Sequence, residues 1–168
     1  TRLRNWLMWC LAQDCGLRVG ELLALRASDF PVVRGIACVA VVRRPDAPED
    51  TRRKRPQAKT LERVLPIGPH AEFALRAYLT ERPPLGRRRG SPYLFTSGTG
   101  QPLSLNAADR VTKLLARSVA VRVHWHALRH AWADDIARGV LKAALVGKGP
   151  TSPEAETQKA LLIEQLRL

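Results

Sequence analysis

In His126-Ala127-Leu128-Arg129-His130, two imidazoles and a guanidinium stand at i, i+3 and i+4. On a helix those positions share one face. Such a face can grip a phosphodiester and move a proton beside it. A second guanidinium, Arg18, lies far upstream in Gly16-Leu17-Arg18-Val19-Gly20-Glu21-Leu22-Leu23. Supplied from another helix, it would complete a clamp on the same phosphate. At a helix start its donors would add to the positive end of the backbone dipole, where anions bind. The alternative for Arg18 is an exposed helix-start side chain. Glu21, one turn on, is expected to orient neighbouring groups; the alternative is a surface carboxylate. Arg129 lies between Leu128 and Ala131-Trp132, so its guanidinium needs an anionic partner, either phosphate oxygens or an internal pair with Asp134 or Asp135. Lys59, on a strand edge after a basic loop, could donate a proton to a leaving oxygen; the alternative is one solvated charge among many. No Tyr occurs after Tyr93. His126 and His130, with His124 nearby, could ligate zinc, but no Glu occupies the zincin position and no Cys is close. A histidine-metal hydrolase is the weakest alternative, and we expect neither metal nor cofactor.

These side chains need elements to carry them. Leu3, Leu7, Leu11 and Cys15, with Trp6 and Cys10 beside them, predict a helix over residues 2–15 that stops at Gly16. A second helix, over about 19–26, carries Arg18 at its start. The β-branched runs around Gly35 predict a tight hairpin within 30–43, and residues 59–67 return as a third strand. Residues 44–58 form a Pro-punctuated charged loop. Helices follow over about 69–80 and from Ser104 or Asn106 to 118, separated by a basic linker at 82–92, a short apolar stretch at 92–96 and a turn at 97–100. The helix carrying Arg129 spans about 125–138 and ends at Gly139, with shorter helical pieces expected at 140–146 and 154–167. Tyr78 and Tyr93 read as packing residues. The fold class is therefore α+β, mainly helical, with a small three-stranded antiparallel sheet in a single domain over 1–168.

Forty-five per cent apolar residues suffices for a core, which argues against wholesale disorder. The charge of +13, with 28 Lys+Arg against 15 Asp+Glu, points to a polyanion partner, and the excess of Arg over Lys suits phosphate. The segments Arg52-Arg53-Lys54-Arg55 and Arg87-Arg88-Arg89 are the candidates for contact with a nucleic-acid backbone, the alternative being plain solvated charge. No apolar run approaches a membrane span of about 20 residues. Cys10, Cys15 and Cys38 form no Cys-x-x-Cys pair and read as reduced thiols, which implies a cytoplasmic protein. Thr1 opens directly into a helical pattern, as expected of a piece of a longer protein.

Together the motifs resemble the catalytic domain of the tyrosine recombinases, the phage integrase family, over nearly the whole chain. Gly-Leu-Arg-x-x-Glu-Leu looks like the first box, making Arg18 the first catalytic Arg. Asp50-Thr51-Arg52, Pro56, Lys59-Thr60, Arg63 and Pro66 look like the hairpin carrying the catalytic Lys. Ser91-Pro92-Tyr93-Leu94-Phe95 and Gln101-Pro102-Leu103-Ser104 resemble the linking segment. His-x-Leu-Arg-His is similar to the second box, with His126 and Arg129 catalytic and His130 a supporting neighbour. The resemblance implies an integrase-type fold, double-stranded DNA as partner, self-association on DNA through the C-terminal helix, and an N-terminal DNA-binding domain outside this chain. It also implies site-specific strand breakage and rejoining without a metal: a Tyr attacks phosphorus, two Arg neutralise the transition state, Lys59 protonates the 5′ oxygen and His126 assists.

The chain departs from the family at the nucleophile. The usual spacing puts the Tyr position at Ala160, and the third-box His or Trp at Thr151 or, in another alignment, Lys148. The phosphate-binding half of the site is present and the nucleophile is not. Either the domain belongs to a recombinase and is inactive for cleavage as it stands, or it is a catalytically silent DNA-binding relative.

Overall fold

Helix α1 forms over Arg2–Cys15 and buries Leu7, Met8, Cys10, Leu11, Ala12 and Cys15 along one side. The computed structural model describes residues 2–58, 61–81, 91–119 and 123–145. Trp6, expected beside the apolar stripe, is 38% exposed and meets Phe73 edge-on, with ring centroids 6.1 Å apart. Leu7, Leu11 and Cys15 already fill the core-facing stripe, and Trp6 stands about 100° off it. Gly16 ends the helix at φ +55°, a conformation that favours glycine.

Helix α2 covers Val19–Ala24 and is shorter than its apolar pattern suggests. Leu25 leaves the helix because its carbonyl accepts the Leu94 N–H at 2.7 Å. The Arg26 N–H then goes to Asp29 Oδ2 at 2.8 Å, opening a 3-10 turn over Ala27–Asp29. Strands β1 (Val32–Val33) and β2 (Ile36–Val41) form the hairpin. Its turn residues, Arg34 and Gly35, both have positive φ, as a two-residue connection matched to strand twist requires. Strand β3, Arg63–Pro66, pairs antiparallel with β2, placing Val39 opposite Leu65 and Val41 opposite Arg63. The described sheet has the order β1-β2-β3.

Helix α3 spans Pro69–Glu81 and packs chiefly against α1 through Ala71, Ala74, Leu75 and Tyr78. The two helices are also tied where Asp14 Oδ2 accepts the Gly68 N–H at 3.0 Å. Tyr78 is buried, stacks on Phe95 and donates its hydroxyl to the Leu94 carbonyl, so it is a packing residue as expected. Helix α4, Leu105–Val119, is capped by Ser104, whose Oγ accepts the Ala107 N–H.

Helix α5 runs unbroken over Trp125–Leu145, which corrects the expected stop at Gly139. An interior glycine costs a helix about 1 kcal/mol relative to alanine, too little to end one flanked by good helix formers. Residues 59–60, 82–90 and 146–168 lie outside the described residues. So do the expected start of the third strand, the basic linker and the last helix.

The chain divides into two compact units, 1–129 and 130–168. The first holds the apolar core, where Leu7, Leu11, Leu17, Leu22, Leu23 and Phe95 are fully enclosed. Each such side chain contributes roughly 1.5–3 kcal/mol on burial. The described part of the second unit is the helical run from His130 onward. No described helix is long and apolar enough to cross a membrane. Cys10, Cys15 and Cys38 are free thiols, all buried.

Candidate functional site

Arg18 is the residue before α2, with an extended backbone at φ −67° and ψ 148°. Its N–H donates to Glu21 Oε2 at 2.9 Å, which fixes the entry of the chain into the helix. The Glu21 carboxylate is fully enclosed and receives a bidentate fork from Arg63 of β3, at 3.0 and 2.9 Å. Glu21 is therefore an internal anchor and not a surface carboxylate. Gly20 admits nothing larger: a Cβ there would stand 2.9 Å from the Gln57 carbonyl oxygen. The opening turn of α2 is held from the strand side by Arg63 and from the 56–58 segment by this close approach.

Arg129 reaches the same turn from the start of α5. Its Nη1 donates to the Gly16 carbonyl at 2.6 Å, across 113 residues of sequence. Its acceptor is thus a backbone carbonyl and not an aspartate. Burial lowers the pKa of Arg129, the charges of Arg18 and Arg63 lower it further, and Glu21 opposes them. Arg18 and Arg129 therefore share one field. Arg18 Nη1 is buried with no hydrogen-bond partner. Two other buried donors, Arg26 Nε and Trp125 Nε1, also lack acceptors. The Arg26 guanidinium, however, is matched by Glu49, and the Trp125 indole is neutral. Of these three, Arg18 is the cation with no carboxylate paired to its side chain among the described residues.

His126 lies one turn before Arg129 and is exposed. His130, also exposed, belongs to the second unit. His124 plays a part the sequence did not suggest: its Nδ1 accepts the Ala127 N–H at 3.1 Å and caps α5. Among the described residues, no group of three or more His, Cys, Asp or Glu is arranged to hold a metal ion. Lys59, Lys148, Thr151, Ala160 and Arg87, Arg88 and Arg89 lie outside the described residues.

The basic run at 52–55 divides. Arg53, Lys54 and Arg55 are exposed, as backbone contacts require. Arg52 is not, and its place among the DNA-backbone candidates is corrected. Its side chain is 5% exposed and forks onto Asp50 at 2.8 Å. Its Nη1 also donates to the carbonyls of Leu23 and Leu103, both at 3.0 Å. Its guanidinium sits 4.3 Å from the centroid of the Tyr93 ring, so Tyr93 too serves packing. Burial alone would raise the pKa of Asp50, but the hydrogen bonds and charge of Arg52 outweigh it and hold the carboxyl below its usual range. Arg63 was missed as a site residue. The available signal was a cation on a strand whose alternation should bury it, in a protein needing a partner for an enclosed Glu21.

The phage integrase family model matches residues 1–148, and the chain belongs to that family, the tyrosine recombinases, whose members break and rejoin DNA. Tyrosine recombinase XerD of Halalkalibacterium halodurans is 30% identical over 138 residues, covering 80% of this chain and 40% of that protein. Tyrosine recombinase XerC of Chlorobaculum parvum is 32% identical over 132 residues, covering 74% and 34%. The chain thus spans well under half the length of these curated relatives. In structure it resembles the XerH site-specific recombinase bound to difH substrate in a pre-cleavage complex. That match has a TM-score of 0.62 at 21% identity, and covers 94% of this chain and 42% of that one. At this identity the likeness concerns the fold.

Proposed function

We propose that this chain is the part of a site-specific DNA recombinase that binds the phosphodiester, and that as it stands it holds duplex DNA without cutting it. The observation carrying this reading is the buried, acceptor-less Nη1 of Arg18 beside Arg129. Two guanidinia brought together without a carboxylate between them suit the non-bridging oxygens of a phosphorane-like transition state, where negative charge grows. In this reading Lys59 delivers the proton to the departing 5′ oxygen and His126 assists at the nucleophile. His130 supports the second box. Arg53, Lys54, Arg55 and the 87–89 run contact the DNA backbone, and copies of the chain associate on DNA through the C-terminal segment. Ala160 stands where the attacking Tyr belongs, with Thr151 or Lys148 at the third-box position.

Trapping on a nicked suicide duplex tests the assignment. The native chain is expected to give no covalent adduct and Ala160→Tyr to give one, which Arg129→Ala then abolishes. An adduct from the native chain overturns the nucleophile assignment. An adduct that survives Arg129→Ala in the Ala160→Tyr background overturns the clamp.

A further inference from the structure

We infer that Arg63 is a positioning residue that keeps the Glu21 carboxylate off the Arg18–Arg129 clamp, so that both guanidinia stay available to an anion; this rests on the clamp reading above. Glu21 is the enclosed acid whose charge acts on Arg129, and one of its oxygens already holds the Arg18 backbone N–H. A carboxylate so placed is a built-in competitor for phosphate, because it offers a guanidinium the same pair of anionic oxygens. Arg63 prevents that. Its fork takes Oε1 through Nη1 and Oε2 through Nη2, with 13% of its own side chain exposed. The planar fork fixes the rotation of the carboxylate as well as its charge, a constraint an ammonium does not impose.

The position of Arg63 fits this role. It lies on β3, opposite Val41 in the ladder, and sheet pairing fixes its backbone independently of α2. The cation that restrains Glu21 thus comes from a different element from the one carrying Arg18. With Arg63 gone, Glu21 loses the fork that fixes both of its oxygens, and the cations Arg18 and Arg129 remain near it. It swings onto Arg18 or Arg129 and closes the clamp from inside.

This role predicts an interaction that a merely structural ion pair does not. Orthovanadate, a mimic of a five-coordinate phosphoryl group, is titrated against the native chain and followed by vanadium NMR. Arg18→Gln and Arg129→Gln locate the site by weakening binding. Arg63→Gln should weaken it roughly tenfold, the scale of one charge-assisted hydrogen-bonded contact. Adding Glu21→Gln to Arg63→Gln should recover most of the loss, since the amide no longer competes as an anion. Arg63→Lys keeps the charge without the fork and should fall between native and Arg63→Gln. Arg44→Gln breaks another enclosed ion pair, to Asp29 outside α2, and serves as the control for general destabilisation.

The inference is overturned if Arg63→Gln binds like native, if the double variant is no better than Arg63→Gln, or if Arg44→Gln costs as much vanadate affinity. Native binding insensitive to both Arg18→Gln and Arg129→Gln is a different failure. It removes the clamp itself, and with it anything for Arg63 to hold open.

Discussion

Four consecutive basic residues, 52–55, divide between exposed and inward-turned side chains, and salt tests whether that division matters for DNA. Arg53, Lys54 and Arg55 are exposed, whereas Arg52 spends its donors on Asp50, Leu23 and Leu103. Each phosphate neutralised on duplex DNA contributes about −0.9 to the slope of log K against log salt. Replacing Arg53, Lys54 and Arg55 together by Gln should therefore make the slope shallower by about 2.7. Between 50 and 200 mM salt, the variant should lose roughly 40-fold less affinity than the native chain does. Arg52→Gln should leave the slope unchanged while destabilising the fold, because its charge is already neutralised internally. The assay is fluorescence anisotropy of a labelled duplex at several salt concentrations, below the unfolding temperature of every variant. An unchanged slope in the triple variant would refute the backbone-contact reading of the loop. A drop of about one unit with Arg52→Gln would refute the division of labour.

Asp50→Asn should cost about 3–5 kcal/mol in urea unfolding, because the Arg52 guanidinium stays buried without its counter-charge; a loss below 1 kcal/mol would contradict the pairing. The native carboxyl is held below its usual range, so its stabilisation is complete above the unfolded-chain value near pH 4, and stability should fall as acid titrates the folded group; Asp50→Asn should flatten that limb of the curve. His124→Ala should remove the α5 cap at roughly 1 kcal/mol and speed amide exchange at Ala127, whereas His124→Ser should restore protection. Equal exchange in native and His124→Ala would show the cap to be idle.

Local rules carried most of the fold. The 3.6-residue recurrence of Leu7, Leu11 and Cys15 marked α1, and Gly35 between β-branched runs marked the hairpin. Arg18 and Arg129 could be picked out as candidates, because a motif and an apolar helix face are local features. What was not legible depended on residues distant in sequence. Nothing within 52–55 distinguishes Arg52 from Arg55; the carbonyls that turn Arg52 inward belong to Leu23 and Leu103. The acceptor for Arg63 lies 42 residues upstream. The cap on α5 escaped notice for another reason: His is outside the side chains that usually cap helices, and only the Nδ1 geometry reveals it.

The distribution of acids explains why the clamp reads as a site and not as another structural network. Arg26 has Glu49, Arg44 has Asp29, Arg52 has Asp50 and Arg63 has Glu21. Acids are thus within reach of the inward-turned arginines, and the fold assigns them one by one. Among the described residues, Arg18 and Arg129 receive none, although Glu21 is near enough to act on Arg129. Two partly buried cations without a carboxylate repel each other and destabilise the folded state. A net anion entering between them relieves that repulsion, so its binding free energy includes stability the empty fold gives up. With Glu21 held on Arg63, the counter-charge for Arg18 and Arg129 under the proposed reading is an anion from outside.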